Sequence, residues 1–230
     1  MRGFPFDIVG FDLDGTLLNT EGDLGAAVNH ALALEGRTAI PANGVRELVG
    51  GGAKKMLGRA LEVTGGPVDP VRFEELHQSL LGYYEDNIAV ETCLFPGGEA
   101  MLDDLAARGV RLAVVTNKLE RFAVTILDAL GLSQRFFTVI GGDTLGPGRA
   151  KPAPDLIQLM LERAGVAQGE QASAAYIGDT TYDTRAAQAA GLPCVVVGFG
   201  FNDGAPHELG GTAVIEHFDE LVPTLERIGA

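Results

Sequence analysis

Cysteine and tryptophan are nearly missing from this chain, which has two cysteines and no tryptophan among its 230 residues. Cys93 and Cys194 lie far apart in the sequence without paired spacing, which argues against a disulfide framework and against a thiolate zinc site. The four histidines have no metal-ligand spacing either. We therefore expect both thiols to be buried or inert, and we expect no histidine-based metal centre.

Positive charge and long apolar runs are also scarce. The chain carries 17 lysines and arginines against 31 aspartates and glutamates, a formal net charge of -14. This balance argues against nucleic acid as a partner, because no basic patch is available for a phosphate backbone. No apolar run approaches the roughly 20 residues of a membrane span, and the first residues lack the features of a signal peptide. We expect a cytoplasmic protein with neither a nucleic-acid nor a membrane partner.

Apolar runs alternate with helical patterns through the C-terminal half of the chain. Continuous apolar strands separated by helices are typical of a parallel sheet that is covered on both faces. We predict an α/β fold with a Rossmann-like parallel sheet, with Pro152 and Pro154 in the first turn of one helix. The predicted strands are residues 6–11, 111–115, 137–140, 174–177 and 195–197, and the predicted helices are residues 119–130, 152–164, 182–190 and 216–228.

The stretch of residues 19–91 breaks this alternation. It contains several helical patterns and no convincing strand; Leu24 and Val28, for example, share one face of a helix. We predict a small α-helical cap domain here, inserted into an α/β core made of residues 1–18 and 92–230. An insert directly after the first strand would lie over the end of that strand, where a lid can exclude water and contact a substrate.

Two acids stand at the end of the first predicted strand. Asp12 and Asp14 follow the apolar stretch 6–11, and Gly15 lets the chain turn sharply behind them. In an open α/β sheet this end of a strand faces the crevice where ligands bind. Two carboxylates about 4 Å apart repel each other by roughly 4 kcal/mol at an effective dielectric constant near 20. A cation or a shared proton is therefore expected between them.

Three more polar groups follow predicted strands. They are Thr116 with Asn117, Lys151, and Asp179 with Asp183 four residues later on the same side of a helix. Taken singly, each has an ordinary explanation, because hydroxyl, amide and acidic side chains cap helices and a lysine before a helix is usually solvated. The carboxyl ends of parallel strands share one edge of a sheet, however, so one crevice could gather all of these side chains.

Together with the first motif, this set resembles the haloacid dehalogenase superfamily, and specifically its magnesium-dependent phosphatases. The resemblance covers nearly the whole chain and implies that the first strand lies between the strands that precede Thr116 and Asp179. It implies that Asp12 is both the nucleophile and a Mg²⁺ ligand, that Asp14 supplies a backbone carbonyl to the ion, and that Asp179 supplies a carboxylate. A phosphate monoester is a dianion, so an attacking carboxylate needs a divalent cation to neutralise the pair.

The same resemblance implies the proton transfers and the phosphate contacts. The Asp14 side chain would protonate the leaving alkoxide and then activate the water that hydrolyses an aspartyl-phosphate. Thr116 and Lys151 would contact the phosphoryl oxygens, and Asn117 would contact the substrate. Asp183 would hold the outer shell of the metal site.

Within the superfamily the sequence is most similar to the phosphoglycolate phosphatases. Arg46, followed by the glycines 50–52, resembles the specificity loop of that family. Gly51 would let backbone N–H groups approach a small ligand, and Arg46 could pair with a substrate carboxylate through two hydrogen bonds. Alternatively, the glycines form only an interhelical turn and Arg46 is exposed. Lys54 and Lys55 are expected to be surface charges.

Other functions share parts of this pattern. A phosphomutase of the same superfamily would keep the core and the metal, and a sugar phosphate or a nucleotide could take the place of 2-phosphoglycolate as the substrate. A non-catalytic phosphate-binding regulatory module is expected to have lost one of Asp12, Asp14, Lys151 and Asp179, and none is lost. We therefore expect a phosphatase whose partner is a small phosphorylated metabolite, in a protein that is a monomer or a homodimer.

Overall fold

A six-stranded parallel sheet forms the centre of the fold in the computed structural model, which describes residues 3–167 and 173–230. The strands in these residues are β1 (Ile8–Phe11), β2 (Leu18–Asn19), β3 (Cys93–Leu94), β4 (Arg111–Val115), β5 (Phe136–Ile140), β6 (Ala174–Gly178), β7 (Cys194–Val197) and β8 (Ala213–Ile215). The sheet has the order β5-β4-β1-β6-β7-β8, and its neighbouring strands all run parallel. The predicted α/β class is confirmed.

The first strand lies at the switch point of the sheet. β1 pairs with β4 on one side and with β6 on the other, and Phe11 stands opposite both Val114 and Ile177. The expectation that the first strand lies between the strands preceding Thr116 and Asp179 is thus confirmed. The chain crosses to opposite sides of β1, so a crevice opens at the carboxyl ends of these strands.

Helices cover both faces of the sheet and form the insert. In the described residues the α-helices are α1 (Glu21–Ala33), α2 (Ala42–Val45), α3 (Ala53–Val63), α4 (Pro70–Asp86), α5 (Gly98–Ala107), α6 (Glu120–Ala129), α7 (Asp155–Arg163), α8 (Thr181–Ala189) and α9 (Leu221–Ile228). Short 3₁₀ turns occur at Arg46–Leu48, Ser133–Arg135, Pro206–Glu208 and Phe218–Glu220.

Apolar side chains alternate along the strands and bury both faces of the sheet. Val9 and Phe11 lie in a large cluster with side chains of α5, α6 and α9, and this cluster continues into helices of the insert through residues such as Leu57. Ile8 and Tyr176 point to the opposite face, where α7 and α8 cover them. This period of two follows from the pleat of the strands and fixes the register of the sheet.

Two helix boundaries differ from the prediction. α7 begins at Asp155 rather than at Pro152, because a proline disfavours the helical conformation in the residue before it. Pro152 and Pro154 therefore hold the preceding residues out of the helix. The last helix begins at Leu221, after a 3₁₀ turn, rather than at residue 216. β8 and α5 were not predicted.

The insert consists of α1 to α4, which we call the cap helices. α1 packs against α4, and β2 pairs antiparallel with β3 at the two ends of the insert, with Asn19 opposite Cys93. These strands were not predicted, because two residues are too few to show a pattern. The boundaries of the cap domain at residues 19–91 stay a prediction. Among the described residues, no helix is long and apolar enough to cross a membrane.

Candidate active site

Acidic side chains from three elements converge at the carboxyl end of β1. Asp12 follows β1, Asp179 follows β6, and Asp183 lies in the first turn of α8. One carboxylate oxygen from each lies within 4.8 Å of the others. The register of the sheet causes this convergence, because β1 and β6 are neighbours and end at the same level. Acids that belong to separate motifs in the sequence therefore form one cluster.

Lys151 lies inside this acidic cluster. Its ammonium group donates hydrogen bonds to Asp183 Oδ1 at 2.6 Å, to the Tyr176 hydroxyl at 2.8 Å and to the Val115 carbonyl at 3.0 Å. It also lies 2.9 Å from Asp12 Oδ1, outside hydrogen-bond geometry. Burial alone would lower the pKa of Lys151, but the carboxylates of Asp12 and Asp183 outweigh burial and raise it. Lys151 is therefore a buried, permanently charged cation rather than a solvated one.

Asp183 is fixed by hydrogen bonds on both oxygens. Oδ2 accepts from the Thr180 backbone N–H at 3.0 Å and from the Thr180 hydroxyl at 2.7 Å, and Oδ1 is bound by Lys151. This arrangement ties the cluster to the start of α8, where a carboxylate is favourable. Asp183 is thus placed to orient Lys151, and the outer-shell role expected of it stays a prediction.

Asp179 is fully buried against the turn that follows β1. Its Oδ1 accepts from the Thr16 hydroxyl at 3.0 Å, and its Oδ2 accepts from the Phe201 backbone N–H at 2.8 Å. Burial raises the pKa of Asp179 well above its usual range, and the charges of Asp183 and Asp12 raise it further. Ionising this acid is therefore costly unless more positive charge is bound nearby.

Asp12 is the acid of this cluster that keeps a carboxylate oxygen without a hydrogen bond. Asp12 lines the cavity described below, and its buried Oδ1 accepts no hydrogen bond in the described residues. Burial raises the pKa of Asp12 to about 6, against the opposing effect of Lys151. Three carboxylates around one ammonium leave an excess of negative charge, and all the donors are oxygens. This donor set fits Mg²⁺, which prefers oxygen ligands.

Asp14 has a different cationic partner. Its two carboxylate oxygens accept hydrogen bonds from the Lys118 ammonium at 2.7 and 2.9 Å. Lys118 is buried, and its Nζ lies 4.8 Å from the centre of the Tyr84 ring, which belongs to α4. Burial would lower the pKa of Lys118, but Asp14 and Tyr84 outweigh burial and raise it. The two acids of the first motif are thus each paired with a buried lysine, which answers the expectation of a cation near them.

A cavity of about 320 Å³ lies between the cap helices and the carboxyl end of the sheet. The core contributes its charged groups, and the cap helices contribute mostly apolar and aromatic side chains. Its volume is at the small end of the range for ligand sites, which suits a small metabolite. Charged residues that line it are Asp12, Asp14, Lys118, Asp143, Lys151 and Asp179 from the core and Lys54 from the cap, and other cap residues that line it include Leu24, Met56, His77, Leu80, Leu81 and Tyr84.

Thr116 and Asn117 lie beside the cavity at the end of β4. Asn117 lines the cavity, and its Nδ2 donates to the Lys151 carbonyl at 3.0 Å. Thr116 is buried and is not among the described residues that line the cavity; its hydroxyl oxygen accepts from the Lys118 backbone N–H at 3.2 Å. Both residues therefore position the loops that carry the two lysines. The substrate contacts expected of them stay predictions.

Arg46 and Gly51 have different surroundings. Gly51 lines the cavity and has a φ of 78°, a conformation that glycine favours. Arg46 donates to Glu21 Oε2 at 2.7 Å, its side chain is 46% exposed, and it is not among the described cavity-lining residues. Its guanidinium group lies 5.8 Å from the centre of the Phe201 ring. The carboxylate contact expected of Arg46 stays a prediction.

Several site residues had no role assigned from the sequence. Lys118 was visible beside Thr116 and Asn117, but its partner Asp14 lies in the turn that follows another strand, β1. His77 and Tyr84 carried no signal, because their positions on α4 follow the ordinary spacing of a buried helix face. Lys54 lines the cavity as well as being exposed, and Cys93 is exposed rather than buried.

Known proteins resemble this chain over most of its length. The phosphoglycolate phosphatase of Caulobacter vibrioides is 39% identical over 210 residues, which cover 91% of this chain and 86% of the relative. The crystal structure of a predicted phosphoglycolate phosphatase from Haemophilus somnus matches with a TM-score of 0.87 at 28% identity, covering 96% of this chain and 98% of the other. A mutant of CbbY from Rhodobacter sphaeroides in complex with xylulose-(1,5)bisphosphate has a TM-score of 0.74 at 26% identity, covering 94% and 96%.

The family model described as haloacid dehalogenase-like hydrolase matches residues 9–197, from β1 to β7. This range includes the cap helices and the residues of the acidic cluster. The resemblance inferred from the motifs is confirmed. The chain belongs to the haloacid dehalogenase-like hydrolases, and within them to the phosphatases, enzymes that hydrolyse phosphoric monoesters.

Proposed function

We propose that this enzyme is a Mg²⁺-dependent phosphatase that hydrolyses 2-phosphoglycolate through an aspartyl-phosphate intermediate. The observation that carries the proposal is the placement of a buried lysine beside each acid of the first motif at one cavity, with Lys151 shared between Asp12 and Asp183. Two acids in different surroundings can take different roles, one as nucleophile and one as acid and base. The name of the Caulobacter vibrioides relative supports the choice of substrate.

Asp12 is the nucleophile in this proposal. Its carboxylate lines the cavity and keeps an oxygen without a hydrogen bond in the described residues, whereas both oxygens of Asp179 and of Asp183 accept hydrogen bonds. Attack on phosphorus forms an acyl phosphate on Asp12, the aspartyl-phosphate, and breaks the bond between phosphorus and the ester oxygen of the substrate. Lys151, 2.9 Å from Asp12 Oδ1, stabilises the negative charge on the phosphoryl oxygens during this step.

Asp14 moves the proton. Its carboxyl group protonates the leaving ester oxygen and then accepts a proton from the water that hydrolyses the aspartyl-phosphate. Lys118 holds both carboxylate oxygens at 2.7 and 2.9 Å, which fixes the direction in which this side chain can deliver the proton.

The acidic cluster fits Mg²⁺. Asp12 and Asp179 would supply carboxylate oxygens and Asp14 a backbone carbonyl, with Asp183 outside them. When bound, the ion supplies positive charge that neutralises the nucleophile and the phosphate dianion. The support for this assignment is that three carboxylates share one ammonium and that Asp12 Oδ1 accepts no hydrogen bond in the described residues.

A sugar phosphate is the second candidate substrate. The related CbbY mutant was solved in complex with xylulose-(1,5)bisphosphate, and the same core could hold either phosphate ester. The cavity volume of about 320 Å³ favours the smaller ligand. A phosphomutase would differ in returning the phosphoryl group to the sugar. The cytoplasmic location and the oligomeric state, monomer or homodimer, stay predictions.

Steady-state kinetics over a panel of phosphate esters would test the proposal. The panel holds 2-phosphoglycolate, a pentose phosphate, a hexose phosphate and a nucleoside monophosphate, each assayed with Mg²⁺ and again after chelation. We expect the highest kcat/KM for 2-phosphoglycolate and no turnover after chelation. A higher kcat/KM for a sugar phosphate would identify that sugar phosphate as the preferred substrate. Full turnover after chelation would show that the reaction does not need Mg²⁺.

A further inference from the structure

Lys118 has more hydrogen-bonding capacity than its protein contacts use. A lysine ammonium carries three N–H donors. In the described residues Lys118 Nζ donates only to the two carboxylate oxygens of Asp14, at 2.7 and 2.9 Å. The ammonium is buried and lines the cavity, where its charge is only weakly screened by water. The ammonium group can therefore donate a hydrogen bond to one more anionic oxygen.

Tyr84 places a second unused donor at the same point. Its side chain comes from α4 in the cap, lines the cavity and lies over Lys118, with 4.8 Å between Nζ and the ring centre. The hydroxyl is buried and donates no hydrogen bond in the described residues, although it lies close enough to Lys118 to raise the pKa of that lysine. Burial raises the pKa of Tyr84 to about 12, so the hydroxyl keeps its proton and can donate it. A buried hydroxyl without a partner is costly unless a ligand binds it.

The position of Asp14 determines what can bind there. Asp14 has to reach the ester oxygen of the substrate in order to protonate it. In 2-phosphoglycolate a single carbon separates this oxygen from the carboxylate group, so the carboxylate lies beside Asp14. Once Asp14 has given up its proton, two carboxylates are in contact, and they repel each other unless a cation lies between them. Lys118 is the buried cation in contact with Asp14.

We propose that Lys118 and the Tyr84 hydroxyl form a subsite that binds the carboxylate of the substrate. The inference rests on the proposed function and adds the residues that select a carboxylate-bearing ester. Lys118 then serves two anions at once, since it holds Asp14 and neutralises the substrate carboxylate next to it. Because Tyr84 comes from a cap helix and Lys118 from the core, the subsite is complete only when the two parts are packed together.

The test compares two esters that differ at one group, 2-phosphoglycolate and 2-hydroxyethyl phosphate, in which an alcohol replaces the carboxylate. The wild-type enzyme should prefer 2-phosphoglycolate in kcat/KM. Lys118→Met keeps the length of the side chain and removes the charge. We expect it to lower the ratio of the two kcat/KM values at least tenfold, in addition to a common loss caused by misplacing Asp14. Tyr84→Phe should lower the same ratio three- to tenfold, mainly through KM.

Two other cations serve as comparisons. Lys54→Met is the matched control, because Lys54 also lines the cavity but is 60% exposed and paired with Glu74; it should change the ratio less than threefold. Arg46→Met tests the alternative that Arg46 binds the substrate carboxylate. A larger fall in the ratio for Arg46→Met or Lys54→Met than for Lys118→Met would overturn the proposal.

The remaining outcomes separate the inference from the proposed function. A wild-type enzyme without preference for 2-phosphoglycolate overturns the proposed substrate and the subsite with it. A wild-type preference that Lys118→Met retains, with equal losses on both esters, overturns the subsite alone and leaves Lys118 as a positioning residue for Asp14. Where Lys118→Met fails to fold by circular dichroism, Tyr84→Phe decides, and an unchanged ratio in that variant contradicts the proposal.

Discussion

The α/β core and the cap helices differ in the charged groups that they bring to the cavity. In the core, Lys151 and Asp183 are buried and each makes several hydrogen bonds. In the cap, Lys54 pairs with Glu74 at 2.9 Å, but their side chains are 60% and 48% exposed. Solvent screens such a surface pair, so it contributes little to stability. The difference shows that this fold concentrates strong electrostatics on one side of the cavity.

Apolar surface is distributed the other way around the cavity. The cap contributes residues such as Leu80 and Met56 to the cavity wall, and these belong to the same hydrophobic cluster as one face of the sheet. Electrostatic interactions are strong where burial removes water, whereas apolar contacts are non-directional. The core is therefore suited to fixed chemistry and the cap to excluding water and selecting the substrate. Lys118 and Tyr84 are the point where the two meet.

Among the changes in the core, Asp12→Asn should have the largest effect on activity. The change removes the proposed nucleophile, and we expect kcat to fall by at least about 10⁴-fold. Rapid quench followed by mass spectrometry should find no phosphate on the peptide that contains Asp12. On the cap side, Glu74→Gln should change kcat by less than about twofold, because the pair is screened by solvent. Phosphate trapped on Asp14 or Asp179 would contradict the assignment.

Asp14→Asn should have the next largest effect and should depend on the leaving group. The nucleophile remains, so the loss reflects proton transfer, about 10²- to 10⁴-fold in kcat for 2-phosphoglycolate. With p-nitrophenyl phosphate the leaving group needs little protonation, so the first step should survive better than the second. Aspartyl-phosphate should then accumulate on Asp12, which intact-mass measurements after rapid quench can detect. A uniform loss across leaving groups would argue against Asp14 as the acid.

The raised pKa of Asp12 gives the core a pH signature. An acid whose pKa is higher in the folded state than in the unfolded state destabilises the fold when it ionises. The free energy of unfolding therefore falls as the pH rises between the two pKa values, here from 3.8 to about 6. The measurement is the melting temperature of Asp12→Asn minus that of the wild type, in the presence of a chelator. This difference should be lowest near about pH 4 and should increase by a few degrees toward about pH 7, because only the wild type loses stability over this range. Mg²⁺ should raise the wild-type melting temperature and remove this increase. A difference that stays constant with pH would contradict the interpretation.

Replacing a glycine by alanine should also have different effects in the core and in the cap. In the core, the test position is Gly200. A Cβ added to Gly200 would lie 2.4 Å from the Gly15 carbonyl oxygen and 2.5 Å from Asp179 Cβ. Gly200→Ala should therefore lower the free energy of unfolding by about 1–3 kcal/mol and reduce kcat, because the Asp179 carboxylate has to move. Urea denaturation and steady-state kinetics measure both effects. Unchanged kcat would mean that this loop does not position Asp179.

The matching change in the cap should have the smallest effect and the opposite sign. Gly82 is exposed in α4, and nothing lies within 4 Å of an added Cβ. Gly82→Ala should raise the free energy of unfolding by about 0.5–1 kcal/mol, because alanine loses less backbone entropy in a helix. Its kcat/KM should stay within about twofold of wild type. A loss of stability would contradict the open space around Gly82 in α4.

The catalytic end of the fold could largely be predicted from local sequence. Apolar runs ending in Asp12 and Asp179, with Gly15 at a turn, specify strands whose carboxyl ends carry acids, because the pleat and the turn geometry act over a few residues. The order of the strands came from the family resemblance and was confirmed. Lys151 was predicted as a site residue, although its three hydrogen bonds were not.

Other features were decided only by the tertiary structure. The pairing of Lys118 with Asp14 joins two neighbouring strands, and the placement of Tyr84 over Lys118 depends on how α4 packs on the core. Helical spacing places Tyr84 on a buried face of α4 but cannot show which group faces it. Arg46 has a side chain that could bind an anionic ligand, but in the structure it pairs with Glu21. Local residue patterns thus determined the elements and the acids at their ends, while the partners of each charge depended on contacts between elements distant in sequence.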